Sequence, residues 1–378
     1  MITTHFLPHV GGISTHVMNV ASQLVTKHGY EVEVLSPDFG GGFGDGGRTI
    51  SGIRSRNFRS LAMSKVFCLP IELPSKFIRT GNYDVIHVHS YTSPMPLLVS
   101  LHRRLGSQGP RCRYVFTPHF HPRSATLLTQ LMRVPYDAFF KRFIFGSYDG
   151  VIFLTEFEKA TLSPFVRFCE HSVIPNGVDL DEIRSVVVHG SITDLLCADE
   201  RVHLRAVYCG NLLKYKGVQY LLRALSTLKN VGISVHLSVV GDGPYREHLA
   251  KLTQYLGIQT QVRFLGFLPR PQQLSIIKAS DVLVLPSEFE AFGIVLVEAM
   301  ALGKAVIATA SGGPTSLGIP KEFLVQYGDS QGLASAMKLL VSSGVNRQQL
   351  GAGYVQIVKE KYSWEQIGNS TADFYASL

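Results

Sequence analysis

Short β-rich runs alternate with amphipathic helical patterns along almost the whole chain, and this alternation limits the possible folds more than any other feature. The runs are apolar at consecutive positions, which is typical of strands buried on both faces of a parallel sheet. The predicted strands are residues 31–36, 83–89, 113–117, 150–154 and 171–175 in the first half, and 204–210, 234–241, 261–266, 281–286 and 304–308 in the second. Helices between such strands predict an α/β protein with doubly wound parallel sheets.

The alternation occurs twice, which predicts two Rossmann-like domains. A chain of 378 residues is also too long for one ordinary core, and two domains of roughly 150–200 residues are expected. A polar stretch without periodicity near 182–203 separates the halves, so we assign the domains to residues 1–185 and 200–360. Residues 363–378 predict a terminal helix that packs back on the first domain, with Ser363 as its N-cap.

The composition excludes several classes of protein. With 46% hydrophobic and 17% charged residues, the chain is unlike a disordered protein. No apolar run reaches the roughly 18 residues that cross a bilayer, and the first residues lack the pattern of a secretion signal. The five cysteines are scattered and form no Cys-x-x-Cys pair, so we expect reduced thiols in a cytoplasmic protein.

Positive charge is concentrated in the first half of the chain. The net charge is +8, and residues 54–142 alone hold 14 Lys or Arg against three acidic residues, an excess of +11. Such an excess predicts an anionic partner, which could be a phosphate group, a nucleic acid or a membrane surface. A solvated basic face without a partner remains an alternative.

The glycine-rich stretch 40–47 contains a literal Gly-x-Gly-x-x-Gly. A dinucleotide fingerprint must follow a strand and open a helix, and the residues after this stretch, RTISGIR, have no helical pattern. We therefore interpret the segment as a mobile loop and expect no nicotinamide or flavin cofactor.

Two places in the sequence suit a phosphate group. Gly11 and Gly12 precede a predicted helix, where small residues let a ligand approach the free N–H groups of the helix start. In the segment 211–217, Lys214 and Lys216 follow a strand, where a lysine can neutralise a diphosphate. A tight turn at the glycines and solvated lysines are the alternatives.

The segment 286–308 is the strongest functional signal. A buried strand ends at Pro286, a polar loop follows, and a helix begins near Gly293. Glu290 lies in the loop at the carboxyl end of the strand, where ligands bind in open α/β sheets, and Glu298 lies on the second turn of the helix. Two such carboxylates can accept hydrogen bonds from sugar hydroxyls. Alternatively, Glu290 interacts with the helix dipole and Glu298 is a surface residue.

Taken together, these motifs resemble the family 4 glycosyltransferases, which include phosphatidylinositol mannosyltransferases and sucrose synthases. The resemblance covers nearly the whole chain in order. It rests on GGISTHV near the start, TPH at 117–119, IPNGVD at 174–179, GNLLKYKG at 210–217, GDGP at 241–244 and the two glutamates eight residues apart in 290–298. It implies a GT-B fold, in which two Rossmann-like domains face a central cleft that holds a nucleotide sugar.

The resemblance also implies roles for individual residues. Gly12 would line the donor diphosphate and Lys216 would neutralise it. Glu298 would bind the ribose, Glu290 would hold hydroxyls of the donor sugar, and His119 would touch that sugar. The implied catalytic residues are thus His119, Glu290 and Lys216, and the implied donor-binding residues are Gly11, Gly12, Asn211, Lys216, Leu268, Glu290, Ala291, Phe292, Gly293, Ile294 and Glu298.

The chain departs from the family pattern at Asn211, where the family usually has an arginine. One of two expected diphosphate cations is therefore missing, and Lys214 or Arg270 could replace it. The family mechanism is retaining, with front-side attack and the leaving phosphate as the proton acceptor. It requires no metal or other cofactor, because Lys216 and helix N-termini carry the positive charge.

Four histidines raise the question of a metal. His87 and His89 point to one face of a predicted strand, and His119 and His121 follow another. They lack accompanying Cys, Asp or Glu at ligand spacing, so we favour histidines that line a polar cleft over a zinc site.

The segment 126–146 combines basic and aromatic residues and is split by Pro135. It is either a core helix pair or an amphipathic surface that docks on anionic lipid at the cytoplasmic face of a membrane. With the basic region 54–142, it favours a lipid-linked or glycan acceptor.

We therefore expect a hexosyltransferase of the mannose or glucose type that uses a UDP- or GDP-sugar. The alternatives are an epimerase or phosphorylase of the same fold and a basic nucleic-acid-binding protein. The last would predict aromatic residues interleaved with Arg and Lys, without the two glutamates, so we expect no nucleic-acid partner.

Overall fold

The computed structural model of the chain describes residues 1–4, 6, 11–37, 48–62, 68–70, 78, 82–91, 93–105, 112–120, 137, 140–166, 169–188, 202–342 and 346–378. They form two compact units. Unit 1 contains Met1–Gly177 and Trp364–Leu378, and unit 2 contains Val178–Ser363. Among the described residues, no helix has both the length and the apolar character that a membrane span requires.

The helices and strands alternate as the sequence predicts. The helices are α1 (Gly12–His28), α2 (Met95–Arg104), α3 (Glu156–Leu162), α4 (Leu180–Ser185), α5 (Val218–Asn230), α6 (Arg246–Tyr255), α7 (Arg270–Ala279), α8 (Ile294–Ala301), α9 (Ser330–Val341), α10 (Arg347–Lys361) and α11 (Trp364–Ser377). The strands are β1 (Glu33–Pro37), β2 (Arg48–Ile50), β3 (Ile53–Phe58), β4 (Ser60–Ala62), β5 (Cys68–Pro70), β6 (Val85–His89), β7 (Arg113–Thr117), β8 (Gly150–Phe153), β9 (Glu170–Val173), β10 (Leu204–Cys209), β11 (Val235–Val240), β12 (Val262–Gly266), β13 (Val282–Leu285), β14 (Ala305–Thr309) and β15 (Leu324–Val325).

Unit 1 contains a mainly parallel sheet. Strands β6-β7-β8-β9 lie in that order and are parallel, and β1 pairs in parallel with β3. Ile2 joins the two groups, because it forms parallel bridges to Leu35 of β1 and to Val88 of β6. Strand β2 is antiparallel to β3, and β4 forms a separate antiparallel pair with β5.

Unit 2 contains a fully parallel sheet of six strands in the order β12-β11-β10-β13-β14-β15. Counted within the unit, this is the order 3-2-1-4-5-6 of a dinucleotide-type Rossmann fold. The central strands are buried along their whole length, as in β11 and β14. The predicted α/β class with parallel sheets is confirmed.

The helices pack on these sheets through apolar faces. In α5, Leu221, Leu222 and Leu225 are buried against the unit 2 core, while the helix begins after Gly217, which adopts a left-handed conformation with φ 74°. At the end of the chain, α11 returns to unit 1 and packs on α1. Trp364 and Phe374 of this helix belong to a core cluster of unit 1.

The first residues of the aperiodic stretch near 182–203 are helical. Residues up to Ser185 belong to α4, whose N-cap Asp179 accepts hydrogen bonds from the N–H groups of Asp181 and Glu182. The glycine-rich stretch 40–47 and most of 126–146 lie outside the described residues.

Candidate functional site

The two central strands of unit 2 define the position of the site. In the strand order, the chain direction of the connections reverses between β10 and β13, and ligands bind outside the carboxyl ends of the strands at such a switch point. Strand β10 ends at Cys209 and leads to Lys216, and β13 ends at Leu285 and leads to Glu290. The sheet therefore places Lys216 and Glu290 at the same edge.

Main-chain contacts hold the two loops together. The N–H of Glu288 donates to the carbonyl oxygen of Tyr215 over 2.7 Å. A Cβ atom on Gly217 would overlap the carbonyl oxygen of Pro286, and its φ of 74° is a conformation that side chains disfavour. Glycine is needed at this position for both reasons, and it fixes the neighbouring Lys216 beside the second loop.

Lys216 and Glu290 form an ion pair at this edge. The Nζ atom of Lys216 lies 2.7 Å from Oε1 of Glu290, and the side chains are only 17% and 16% exposed. The main chain of Glu290 is also held, because its carbonyl oxygen accepts the N–H of Gly313 over 2.8 Å. The structure thus places a partly buried cation and anion side by side, where a phosphate group and sugar hydroxyls can replace the mutual contact.

Glu298 is buried, with a side chain that is 3% exposed, so the surface alternative for this residue is wrong. Burial raises the pKa of its carboxyl group, while the charge and hydrogen bond of Arg270 oppose that rise. Arg270 donates from Nη1 to Oε1 of Glu298 over 2.6 Å and binds Glu182 with Nε and Nη2. Burial alone would lower the pKa of Arg270, but the two glutamates outweigh it and the pKa is raised.

The charges of Glu290 and Glu298 both influence side chains at the end of β10. Burial first, and then the charge of Glu290, raises the pKa of the Tyr208 hydroxyl group. Burial first, and then the charge of Glu298, raises the pKa of the Cys209 thiol. The two glutamates therefore flank the same strand end, as the spacing in the sequence predicts.

The GDGP motif supports the first loop from behind. Cβ atoms on Gly241 and Gly243 would overlap the carbonyl oxygens of Gly210 and Leu212. The side chain of Asn211 is exposed. The main-chain carbonyl oxygen of Asn211 accepts a hydrogen bond from the Tyr208 hydroxyl group over 3.0 Å. The two proposed replacements for the missing arginine differ, because Lys214 is exposed whereas Arg270 is engaged by two carboxylates.

The start of α8 carries the remaining unit 2 candidates. Gly293 is its N-cap with φ 88°, so the helix begins at Ile294, one or two residues later than predicted. The first N–H groups of a helix lack intrahelical acceptors and attract anions. Phe292 is buried, and a Cβ atom on Gly313 would overlap the main chain of Phe292. The side chains of Ala291 and Ile294, in contrast, are partly exposed.

Leu268 lies just after the carboxyl end of β12, between that strand and α7. It is partly buried against the unit 2 core, whereas its neighbour Phe267 is 80% exposed.

In unit 1, Gly11 and Gly12 stand where α1 begins. Gly11 is the N-cap in extended conformation, and Ser14 closes a capping box with it. A Cβ atom on Gly12 would meet no atom within 4 Å, so the space beside this residue is open in the described part of the unit. Packing does not require glycine at residue 12, which is compatible with room for a ligand.

His119 lies after β7 in a left-handed conformation with φ 47°, which is unusual for a residue with a side chain. Its ring lies 5.0 Å from that of His16 on α1 and 5.5 Å from that of His89 on β6, measured between centroids. Burial, followed by the charges of His16 and His87, lowers the pKa of His119 well below its usual value. The imidazole is therefore neutral at pH 7.

Of the four histidines considered for zinc, His89 and His119 lie together, with Nδ1 of His89 3.3 Å from Nε2 of His119. His87 is hydrogen bonded through Nδ1 to Tyr375 over 2.6 Å and through Nε2 to Thr117 over 2.7 Å. His121 lies outside the described residues.

The sequence analysis did not single out two residues that shape this part of unit 1. His16 lies within the GGISTHV motif, four residues into α1, and faces inward. Glu158 of α3 is buried, and its two oxygens accept the N–H groups of Phe120 and Leu154, each over 2.6 Å. Burial raises the pKa of Glu158 to about 7, against the two hydrogen bonds. An acidic residue in the first turn after a strand was the available signal for Glu158.

The basic aromatic segment is described only at residue 137 and from residue 140 on, and its side chains differ in exposure. Phe140 and Arg142 are exposed, whereas Lys141 is buried with its Nζ atom 4.5 Å from the ring centroid of Phe165 and 4.9 Å from that of Phe120. Lys141 is therefore a core cation that interacts with aromatic rings rather than a surface charge.

Comparison with known proteins matches each half of the chain to a glycosyltransferase family. The sequence model described as Glycosyltransferase Family 4 matches residues 10–182, and the one described as Glycosyl transferases group 1 matches residues 203–353.

Full-length relatives are enzymes of the same type. An uncharacterised glycosyltransferase of Methanocaldococcus jannaschii is 26% identical over 406 residues, which cover 99% of this chain and 97% of the relative. The GDP-mannose-dependent alpha-(1-6)-phosphatidylinositol monomannoside mannosyltransferase of Mycobacterium tuberculosis is 25% identical over 387 residues, which cover 99% and 97%.

Solved structures share the fold over the whole chain. Sucrose-phosphate synthase from Thermosynechococcus elongatus superposes with a TM-score of 0.77 at 22% identity, and covers 100% of this chain and 98% of its own. Anabaena HepE in complex with UDP and glucose gives 0.70 at 20% identity, with 100% and 99% covered. These neighbours are GT-B enzymes. With two parallel-sheet units, a family match in each half and relatives along its full length, the chain belongs to the family 4 glycosyltransferases of GT-B fold.

Proposed function

We propose that the protein is a retaining hexosyltransferase that moves a mannose- or glucose-type sugar from a UDP- or GDP-sugar to a lipid-linked or glycan acceptor. The observation that carries the proposal is the partly buried Lys216–Glu290 pair at the switch point of the unit 2 sheet, with the buried carboxylate of Glu298 at the same strand end. A cation for phosphate and two anions for hydroxyl groups match the three chemical parts of a sugar nucleotide.

Each residue has a distinct task in this proposal. Lys216 turns from Glu290 to the diphosphate, and Glu290 then accepts hydrogen bonds from the hydroxyl groups of the donor sugar. Glu298, fixed by Arg270, accepts those of the ribose. Charged acceptors form stronger hydrogen bonds than neutral ones, so these contacts also orient the donor.

Main-chain groups complete the donor site. The start of α8, from Ala291 to Ile294, offers N–H groups to the sugar and phosphate, and Asn211 and Leu268 line the nucleotide end. In unit 1, Gly11 and Gly12 present the start of α1 to the diphosphate, and the neutral ring of His119 contacts the donor sugar.

The proposed reaction is a front-side displacement. The bond between the anomeric carbon and the phosphate oxygen breaks, and the acceptor hydroxyl oxygen bonds to the same face of that carbon. The acceptor proton moves to the leaving phosphate oxygen, and the nucleoside diphosphate departs with the electron pair of the broken bond. Lys216 and the α8 N–H groups stabilise the departing negative charge, so we propose that no metal is needed.

The relatives support nucleotide-sugar chemistry without naming the donor. The mycobacterial relative is named for GDP-mannose, while the Anabaena structure holds UDP and glucose. A panel of nucleotide sugars separates these donors. A donor present at 100 times its dissociation constant stabilises the fold by about 2.7 kcal/mol, which thermal unfolding detects. A protein that responds to none of the UDP- or GDP-sugars contradicts the proposal.

Glu290→Gln tests the site directly. The change removes the charge but keeps the size of the side chain, and we expect kcat/KM to fall roughly 10²- to 10³-fold because an acceptor for the donor sugar is weakened. Glu247→Gln is the matched control, since Glu247 is an exposed residue of α6 that pairs with Lys251 on the same helix. Equal rates for the two variants would remove Glu290 from the site. Anomeric configuration of the product, read by NMR, tests retention.

For the acceptor, we propose a lipid-linked substrate presented at an anionic membrane surface, because the excess of +11 in residues 54–142 favours such a surface. Among the cysteines whose side chains the structure describes, Cys112, Cys169 and Cys209 are free thiols, in keeping with the proposed cytoplasmic location. Co-sedimentation should occur with vesicles that contain anionic lipid and weaken with added salt. Equal binding to neutral vesicles would contradict the electrostatic part of the proposal.

A further inference from the structure

The imidazoles of His16, His89 and His119 converge inside unit 1. One ring nitrogen from each lies within 4.8 Å of the other two. The three residues come from different elements, α1, β6 and the turn after β7. Packing alone would place apolar side chains here, since three imidazoles in one buried cluster are costly unless their nitrogens find partners.

The spacing of two nitrogens is that of a metal site. Nδ1 of His89 lies 3.3 Å from Nε2 of His119. Zinc–nitrogen bonds of about 2.0–2.1 Å in tetrahedral geometry place two ligand nitrogens roughly 3.3–3.4 Å apart. The same distance is at the long end for a direct hydrogen bond between nitrogens.

A hydrogen bond to Asn176 makes His16 suitable as the third ligand. Its Nδ1 lies 2.6 Å from Oδ1 of Asn176, an oxygen that can only accept, so Nδ1 carries the proton and Nε2 keeps its lone pair. Metal-bound histidines usually donate their second nitrogen to such an oxygen, which fixes the ring and its tautomer. Asn176 belongs to the IPNGVD motif, which the proposed transfer reaction leaves without a task.

The second nitrogen of His89 does not tie the ring to another described residue. His89 is fully buried, and its Nε2 has no hydrogen-bond partner among the described residues. Because no hydrogen bond to a described residue holds Nε2, an ion that binds Nδ1 breaks no contact at the other nitrogen of this ring. His119 is the least buried of the three.

We propose that His16, His89 and His119 form a binding site for one Zn²⁺ ion, and that the bound ion inhibits transfer. Three imidazoles and one open position are a known ligand set for zinc. Closing the site requires the three nitrogens, which lie within 4.8 Å of one another, to approach to roughly 3.3 Å, which is within the reach of side-chain rotation. The inhibition rests on the proposed function, because the ion captures the His119 ring that would contact the donor sugar.

Titration of the metal-free full chain with Zn²⁺, followed by calorimetry, tests binding without reference to activity. We expect one ion per chain, and Co²⁺ should give the intense visible bands of tetrahedral coordination. His89→Asn should abolish this binding. Asn176→Ala should weaken it by roughly 10- to 100-fold, as loss of a group that orients a ligand does. His171→Asn is the control, since His171 is exposed on β9, and it should bind as the unmodified chain does.

The outcomes separate the site from the function. Failure of the unmodified chain to bind Zn²⁺, or equal binding by His89→Asn in its folded form, overturns the site. If that variant does not fold, Asn176→Ala carries the comparison. In the transfer assay, micromolar Zn²⁺ should inhibit and a chelator should restore activity, and stoichiometric binding without inhibition overturns the inhibitory role. Lack of any response to nucleotide sugars overturns the proposed function and leaves the Zn²⁺ titration unaffected.

Discussion

Replacing Arg270 with methionine tests how the buried Glu298 carboxyl group is stabilised. The guanidinium group lies 2.6 Å from Oε1 of Glu298 and also binds Glu182. Methionine keeps most of the length of the side chain but removes its charge and donors. Glu298 then remains buried at 3% exposure without its cation.

The expected loss of stability arises because the substitution removes only one member of the Arg270–Glu298 ion pair. Removing one partner of a fully buried ion pair costs about 3–5 kcal/mol, because the other charge stays unpaired. The Arg270 side chain is 47% exposed, so water already weakens the attraction and the loss falls at or below the bottom of that range. We expect a loss of about 2–3 kcal/mol at pH 7. For a unit of this size, that corresponds to a fall in Tm of roughly 4–12 °C.

The pH dependence has a definite sign. Burial raises the folded-state pKa of Glu298 above its ordinary value of 4.5, and removal of Arg270 raises it further. The folded variant then binds a proton more tightly than the unfolded chain does. The contribution of protonated Glu298 to stability is therefore fully present below pH 4.5 and is lost as pH rises through the folded-state pKa. The loss of stability in Arg270→Met should accordingly shrink as pH falls from 7 toward 5.

Thermal and urea unfolding across this pH range measure the effect. The double variant Arg270→Met with Glu298→Gln should recover part of the loss, because no buried charge remains. Arg246→Met is the control, since Arg246 forms an exposed pair with Asp242 and should change stability by less than about 0.5 kcal/mol. A deficit that is independent of pH, or equal to that of the control, would refute this account of Glu298.

Two further predictions concern stability. Gly217→Ala should destabilise unit 2 in thermal unfolding by about 1–3 kcal/mol or more, because its φ is positive and the new Cβ overlaps the Pro286 carbonyl. The control is Gly353→Ala, in a helix with open space around the new Cβ, which should be neutral or stabilising. The reverse order of stability would contradict the steric explanation. In the second, the raised pKa of Glu158, about 7, means that its contribution to stability falls as pH rises from 4.5 to 7. Glu158→Gln should flatten this slope by up to about 1.4 kcal/mol per pH unit, and an unchanged slope would contradict the burial of an ionisable group there.

The architecture was predictable because strand identity depends on local pattern. Ten apolar runs marked strands, and a run that is apolar on both faces requires helices on both sides of a parallel sheet. The ends of elements were less accurate. Helices α5 and α8 both begin after a glycine with positive φ, at Gly217 and Gly293, and a sequence pattern does not show where the chain adopts that conformation.

The candidate site was predictable where it follows from the carboxyl ends of strands. Lys216 and Glu290 come directly after neighbouring strands, and their contact follows from the strand order. The pairing of Glu298 with Arg270 was not predictable, because it joins α8 to the start of α7 across 28 residues of sequence. The His16 cluster was missed for the same reason, since its members are distant in sequence.

The return of α11 to unit 1 has a consequence for synthesis. The ribosome synthesises all of Val178–Ser363 before it makes the helix that packs on α1 and whose Tyr375 hydrogen bonds His87. Unit 2 can therefore acquire its native structure while unit 1, although translated earlier, still lacks part of its core. Unit 1 is complete only after the 15 residues Trp364–Leu378 have been made, and a premature stop before them leaves the unit that was made first without part of its core.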